Sequence, residues 1–175
     1  MKKSFSTFSE VAHIWAQQLP EQGEAYCKQG RFDKKILYSY SAKIGMFLTD
    51  DVVVISRYSF SSNTWKHIGE AVSACSHKTV LSYPYWIPYH CNLQEMVNYI
   101  GEVINKMNRC YISNYREQKY WESELQEYLK VDPTIIVPEL KFCMTEEEVK
   151  KINDRANKAA ETRNANAKVD DDPEK

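Results

Sequence analysis

The spacing of apolar and polar residues changes along the chain and divides it into helical and extended segments. Near the N-terminus, apolar residues recur at helical spacing from Phe8 to Leu19. Thr7 and Glu10 have the spacing of a capping box, in which each side chain accepts a hydrogen bond from the other residue's backbone amide. Pro20 follows the apolar stripe and cannot continue a helix. The pattern predicts an N-terminal helix.

Between residues 26 and 60 the period changes to two, which is typical of strands with one buried face. Asp50 and Asp51 form a turn signal, and Val52 to Ser56 is a dense run of β-branched residues. Because short turns join neighbouring strands directly, we predict an antiparallel meander of three to five strands.

A hydroxyl-rich stretch, 61–64, predicts the start of one short helix, because Ser, Asn and Thr are good N-caps. The expected apolar stripe of this helix is Trp65, Ile68, Val72 and Cys75. Lys78 to Tyr83 is expected to form a further strand. Pro84 and Pro88 then exclude regular helix between them.

The second half is dominated by helical patterns. Asn92 and Glu95 repeat the capping-box spacing, and apolar residues follow at helical spacing as far as Tyr111. The stripe is lost near Ser113 and resumes, shifted, at Trp121. Either two helices or one bent helix satisfies this pattern, and the helices are expected to pack on the sheet.

The C-terminal region offers little apolar surface. Thr145 and Glu148 predict another helix start, but the stripe beyond them is thin, and from Glu161 the chain is polar and charged. We therefore predict an α+β fold with a small α+β domain over residues 1–90, a helical extension over 91–160 and a disordered acidic tail over 161–175.

Composition narrows the function classes. The formal net charge of −1 gives no broad field that would attract nucleic acid or a membrane surface. No window is apolar enough to cross a bilayer, and the N-terminal residues lack the apolar core of a signal peptide. We expect a cytoplasmic protein without a membrane partner. The five scattered cysteines do not predict a disulfide framework, and no motif indicates a cofactor.

The segment from Arg57 to His67 is the main candidate binding surface. It is expected to lead from a strand into a helix N-terminus, where free amides and the helix dipole attract anions such as phosphate. Ordinary capping by the same hydroxyls is the simpler explanation, because the amides need capping whether or not a ligand binds. No glycine-rich loop is present, which excludes a P-loop cradle. The candidate binding residues are Arg57, Tyr58, Ser59, Ser61, Ser62, Asn63, Thr64, Lys66 and His67.

Two further groups of residues could carry chemistry. Tyr38 and Tyr40 on the preceding hairpin could stack bases, or could simply form a half-buried core face together with Ile36. Weak metal-ligand candidates are Cys75, His77, His90 and Cys91. Their spacing departs from closely paired zinc ligands, so we predict no metal site.

No catalytic residue is marked by a local signature. The acidic run 146–148 fits a favourable first helical turn better than an acid–base pair. An enzymatic role is therefore the less favoured hypothesis.

Three segments in order resemble a family of small uncharacterised proteins that are common in bacteriophage and metagenomic sequences. These segments are 4–17, with its Val-Ala-His-Ile-Trp-Ala run, 37–40, and the stretch from Tyr58-Ser59 to Lys66-His67. The resemblance covers the first half, to about Tyr85. It implies a phage origin, a host-cell cytoplasmic location and an accessory role, and it carries no reaction.

Three functional hypotheses follow. The first is non-enzymatic binding to a host protein or defence complex, because Tyr, Trp and Arg are the residues that anchor interfaces. The second is a nucleic-acid-binding module that uses the Arg57–His67 segment. The third is a small nucleotide-acting enzyme with His67 as general acid or base. A homodimer formed along the long helix from Leu93 is a possible oligomeric state.

Overall fold

The computed structural model describes residues 4–17, 23–59, 61–88, 92–107 and 111–170, with side chains as far as residue 163. Within these ranges it has an α+β fold, as predicted. The helices are α1 (Phe8–Gln17), α2 (Ser62–Ala74), α3 (Leu93–Lys106), α4 (Ile112–Val131) and α5 (Glu146–Asp170). The strands are β1 (Glu24–Cys27), β2 (Gly30–Asp33), β3 (Ile36–Ser39), β4 (Ala42–Phe47), β5 (Val52–Ser56) and β6 (Thr79–Tyr83).

The six strands form one sheet in sequence order. β1 to β5 are an antiparallel meander, which confirms the predicted hairpins. β6 pairs with β5 in parallel, because α2 carries the chain back to the end of the sheet where β5 begins, and β6 then runs in the same direction as β5. The sheet therefore combines a meander with one β–α–β unit, which the strand patterns did not predict.

Each face of the sheet carries its own hydrophobic core. On one face, α1 and α2 pack over Leu37, Val53 and Ile55. On the other face, α3 and α4 pack over Val54 and Leu81. Successive residues of β5 alternate between the two cores, which explains why this strand is an unbroken apolar run.

The predicted capping boxes are confirmed at three helices, including α5, where Thr145 and Glu148 form the reciprocal pair. The Glu10 carboxylate accepts the Thr7 backbone amide at 2.9 Å, and the Thr7 hydroxyl accepts the Glu10 amide at 3.3 Å. Asn92 and Glu95 make the same reciprocal pair at the start of α3. These local polar pairs fix where α1 and α3 begin.

α3 and α4 are separate helices, which resolves the alternative that the sequence left open. After α4, the chain forms an extended segment, 135–143, that we call the strap. Gln94 and Asn105 of α3 bind its backbone through their side-chain amides. Buried Gln118 of α4 donates to the carbonyls of Ile104, Met107 and Lys141 and accepts the Cys143 amide.

α5 extends further than the sequence suggested. The disordered tail was predicted from residue 161, yet the helix continues to Asp170, and residues 171–175 lie outside the described part of the chain. All described α5 side chains from Lys150 to Arg163 are exposed. None of the helices in the described ranges has the length and apolar character needed to cross a bilayer.

Candidate functional site: an aromatic groove at the carboxyl ends of β5 and β6

The two parallel strands end side by side, and the helices that follow them lie on opposite faces of the sheet. α2 follows β5 and belongs to the first core, whereas α3 follows β6 and belongs to the second. Such a divergence leaves a crevice at the carboxyl ends of the strands, which is the usual ligand position in open sheets with parallel strands. Here the Arg57 amide donates to the Tyr83 carbonyl at 2.8 Å, and Ser56 Oγ donates to the Tyr85 carbonyl at 2.7 Å.

An open groove of about 660 Å³ lies at this position. Its wall combines six aromatic rings with two arginines, one glutamate and two small apolar side chains. The lining residues are Arg57, Tyr58, Trp65, Pro84, Tyr85, Tyr99, Val103, Arg116, Glu117, Tyr120 and Trp121. Trp86 adjoins the groove, because its ring stacks on Tyr85 with centroids 6.1 Å apart.

Several of these rings are exposed although they are large and apolar. Trp65 is 53% exposed, and Tyr85 and Trp86 are each 45% exposed. Tyr58 lies 4.9 Å from Tyr85 between ring centroids, and Tyr85 lies 6.2 Å from Tyr99, so the rings form a continuous cluster. Contiguous exposed apolar surface of this kind is typical of a binding site.

Arg57 lies between two of the rings that line the groove. Its guanidinium carbon is 4.8 Å from the centroid of Tyr120 and 5.9 Å from that of Trp65. Its Nη1 donates to the Tyr120 hydroxyl at 2.9 Å. Cation–π contacts with both rings and the hydrogen bond to Tyr120 restrain the guanidinium while the residue stays exposed.

Tyr120 is held in turn by the outer edge of β6. Its hydroxyl donates to Ser82 Oγ at 3.1 Å, and burial raises its pKa above the ordinary tyrosine value. The Ser82 backbone also binds α4, because its amide donates to Glu124 and its carbonyl accepts the Tyr128 hydroxyl. This polar network connects α4 to β6 and places Tyr120 beside Arg57.

A smaller cavity of about 220 Å³ lies between α2 and β6, and Arg57 and Trp65 line it as well as the groove. The remaining lining residues are Ile55, Ile68, Gly69, Val72, Val80 and Ser82. The two side chains therefore separate an apolar cavity from a larger aromatic groove.

The predicted stripe of α2 is partly wrong. Ile68 and Cys75 are buried as expected, but Trp65 and Val72 are exposed, and Thr64, His67 and Ala71 are buried instead. The buried face is thus rotated around the helix, and the two large apolar side chains left outside are those that line the cavity.

The hydroxyl-rich segment caps α2 in the ordinary way. Ser61 is the N-cap, and its Oγ accepts the Thr64 amide at 3.2 Å. Ser59 Oγ donates to the Ser61 carbonyl, whereas Ser62 and Asn63 are exposed. Capping thus accounts for the Ser61 hydroxyl, and a local hydrogen bond accounts for that of Ser59.

His67, a predicted binding residue and candidate acid or base, lies in the first core and does not face solvent. His67 is 3% exposed, its ring stacks on Phe8 at 4.1 Å, and its Nδ1 lies 2.7 Å from Ser39 Oγ. Burial lowers its pKa below 6.5, partly offset by the charge of Glu70. Lys66 is exposed, and its Nζ lies 3.8 Å from a Glu70 carboxylate oxygen.

Tyr38 and Tyr40 do not share a strand face, contrary to the sequence interpretation. Tyr38 is buried beneath Arg31, whose guanidinium carbon is 4.4 Å from the ring centroid. Tyr40 lies in the turn between β3 and β4 with a positive φ of 54°, and its exposed ring lies 5.8 Å from His67. β3 ends at Ser39, so Tyr40 belongs to the turn and does not continue the alternation of β3.

The weak metal-ligand candidates do not form a cluster among the residues that the structure describes. Cys75 is buried, and burial raises the pKa of its thiol to about 11, whereas His77 is exposed. His90 and Cys91 lie outside the described residues. Among the described part of the chain, no group of three His, Cys, Asp or Glu side chains could hold a metal ion.

Sequence reasoning found Arg57 and Tyr58 but missed most of the groove. The missed residues include Tyr85, Trp86, Tyr99, Arg116 and Tyr120. A usable signal was present in the adjacent Tyr85 and Trp86 between Pro84 and Pro88, because regular helix is excluded there and adjacent side chains of extended backbone point to opposite sides. The residues that α4 contributes to the groove could not be predicted from the sequence, because only the tertiary fold brings them beside Arg57.

Comparisons with known proteins give one match. No curated protein and no solved structure matches the chain. Residues 15–86, less than half of the chain, match a family of unknown function (DUF8033). The matched region contains Arg57, Tyr58, Trp65 and Tyr85, whereas the α3 and α4 wall of the groove lies outside it.

Proposed function

We propose that this protein acts by non-enzymatic binding to a protein partner and that the aromatic groove is its contact surface. The observation that carries the proposal is Arg57, held between Trp65 and Tyr120 at the centre of exposed aromatic rings. Trp, Tyr and Arg are the side chains that most often dominate the binding energy of protein interfaces. A fixed arginine also loses little conformational freedom when it binds.

The partner that fits the resemblance to phage proteins is a host protein or a defence complex. An accessory role of this kind needs a recognition surface and no reaction. The groove supplies such a surface, because its rings and guanidinium are already arranged by contacts within the protein. Preorganised surfaces of this sort lower the entropic cost of association.

The test is capture of host proteins by the full chain and by a groove variant, Trp65→Ala combined with Trp86→Ala. The matched control is Tyr26→Ala, since Tyr26 is 52% exposed but lies on β1 at the opposite edge of the sheet. We expect the same partner with the wild type and the control, and at least tenfold less with the groove variant, if each ring contributes about 1 kcal/mol or more. Equal capture by all three proteins would refute the proposal.

Binding of single-stranded nucleic acid is the second candidate. Exposed Trp65 and Trp86 could stack bases, and the groove contains Arg57 and Arg116. Its test is a gel shift at low salt, in which Arg57→Gln and Lys66→Gln should weaken binding by similar factors across sequences. No shift at low salt would end this candidate.

A further inference from the structure

The two arginines of the groove have no acidic partner among the described residues. Neither Arg57 nor Arg116 forms an ion pair with a described carboxylate. Arg57 uses one N–H on the Tyr120 hydroxyl, and Arg116 is exposed. Among the described residues, the groove lining carries two positive charges and one negative charge, from Glu117, and Glu124 also acts on the Tyr120 hydroxyl to which Arg57 donates. An arginine fixed by two rings with unused donors suits bidentate binding of a carboxylate.

We infer that the groove recognises a short acidic segment of its partner, in which an Asp or Glu binds Arg57 and a neighbouring apolar side chain enters the 220 Å³ cavity. This inference rests on the proposed function. Arg57 and Trp65 line both the cavity and the groove, so a ligand that binds the guanidinium lies at the entrance to both. The position for the carboxylate of the ligand therefore lies next to the position for its apolar side chain.

The size and lining of the cavity define the apolar part of the ligand. A dry cavity of about 150 Å³ holds a benzene molecule, so one of about 220 Å³ holds a single branched or aromatic side chain. Ile68, Val72 and Val80 supply an aliphatic wall. Leu, Ile, Met and Phe meet this requirement.

The same lining favours a peptide over a nucleic acid. The described lining offers few polar side-chain atoms, on Arg57, Trp65 and Ser82, so a base placed in the cavity would leave several polar atoms of its edge without partners. A carboxylate on a peptide needs only the arginine, and the attached backbone stays in the open groove. The aromatic rings around Tyr85 can then contact the residues that follow.

The experiment is a selection from a randomised twelve-residue peptide library on the immobilised full chain, with the Arg57→Gln variant as counter-selection. We expect enriched peptides in which Asp or Glu neighbours Leu, Ile, Met or Phe. Selected peptides are then synthesised with a fluorophore, and their affinity is measured by anisotropy before and after changing the acidic residue to Asn or Gln.

Removing the carboxylate should weaken binding to the wild type by about 10- to 100-fold, the range for a charged hydrogen-bonded pair. The same change should have less than a twofold effect on Arg57→Gln. The matched control is Arg31→Gln, since Arg31 also lies over a tyrosine ring, Tyr38, but belongs to β2. This control should bind like the wild type, and near-UV circular dichroism checks that each variant keeps its fold.

Three results would overturn the inference, and they separate it from the proposed function. Peptides that need Trp65 but carry no acidic residue would refute the acidic segment and leave the groove as a protein-binding surface. Peptides unaffected by both Arg57→Gln and Trp65→Ala would refute both ideas. A labelled oligothymidine that binds in an Arg57-dependent manner, with no peptide enriched, would also refute both and favour nucleic acid.

Discussion

The two layers that cover the sheet are held together by different means. The layer formed by α1 and α2 is mainly apolar, and its largest side chain, Trp15, packs edge-on against Phe47 with ring centroids 4.8 Å apart. The layer formed by α3, α4 and the strap contains irregular backbone, whose polar groups are bound by amide side chains such as Gln118. A helix satisfies most of its own backbone hydrogen bonds, so its packing depends mainly on complementary side-chain shapes. The strap has no such internal bonds, so its backbone amides and carbonyls need partners from neighbouring side chains.

The largest loss of stability should come from truncating Trp15 in the layer formed by α1 and α2. This side chain is 1% exposed, and its Nε1 donates to the Lys35 carbonyl at 3.2 Å. We expect Trp15→Ala to lower the free energy of unfolding by about 3–5 kcal/mol, because it leaves a large cavity in the core. Urea unfolding measures this loss. The control, Trp65→Ala, removes a half-exposed ring and should cost well under half as much.

The second largest effect should come from replacing Gln118 in the layer formed by α3, α4 and the strap. Replacing this fully buried side chain by Leu removes its hydrogen bonds to the Cys143 amide and to three carbonyls, of which that of Ile104 still accepts the Met107 amide. We expect a loss of about 2–4 kcal/mol in unfolding free energy, the range for several unsatisfied buried groups. Amide exchange should also accelerate at Cys143 while the amides of β4 stay protected. Uniform acceleration across the sheet would contradict a separate role for the strap.

His67 gives the apolar layer a pH dependence. Because burial lowers its pKa in the folded state, the unfolded chain binds the proton more readily. Stability should therefore be complete above the unfolded pKa of about 6.5 and fall as the pH decreases below it. His67→Gln should flatten this decline between pH 7.5 and 5, whereas His77→Gln, at an exposed site, should not. An equal slope in wild type and His67→Gln would contradict the assignment.

The smallest effect concerns the turn between β2 and β3. Lys34 has a positive φ of 50°, which costs a non-glycine residue about 1 kcal/mol. Lys34→Gly should stabilise the protein by about 0.5–1 kcal/mol in urea unfolding, because it removes this strain. Lys35→Gly is the matched control and should be neutral or destabilising, since the positive-φ residues among those described do not include Lys35.

The sequence predicted most of the local structure and little of the site. Capping boxes at Thr7 and Asn92 and the period of two in the meander fixed the elements, because these signals depend on neighbours in the chain. The parallel pairing of β6 was not predictable from its own residues. The position of β6 depends on which side of β5 remains free after the meander has formed, and its direction depends on the path of α2 across the sheet.

The error at α2 shows why the site was hidden. The sequence placed Trp65 and Val72 in the core because large apolar residues at helical spacing normally lie there. In the structure smaller or polar side chains, Thr64, His67 and Ala71, face inward instead. This conflict between local pattern and fold occurs beside Arg57, and such conflicts are expected at functional surfaces.

The way α4 binds the outer edge of β6 also bears on whether another copy could add to the sheet at this edge. An open edge strand offers unpaired amides and carbonyls on which another copy could grow the sheet. Here Glu124 and Tyr128 occupy the outward-facing amide and carbonyl of Ser82. Edge-to-edge aggregation through β6 would first have to displace a helix, so partners can reach the ends of these strands while sheet growth along their length is blocked.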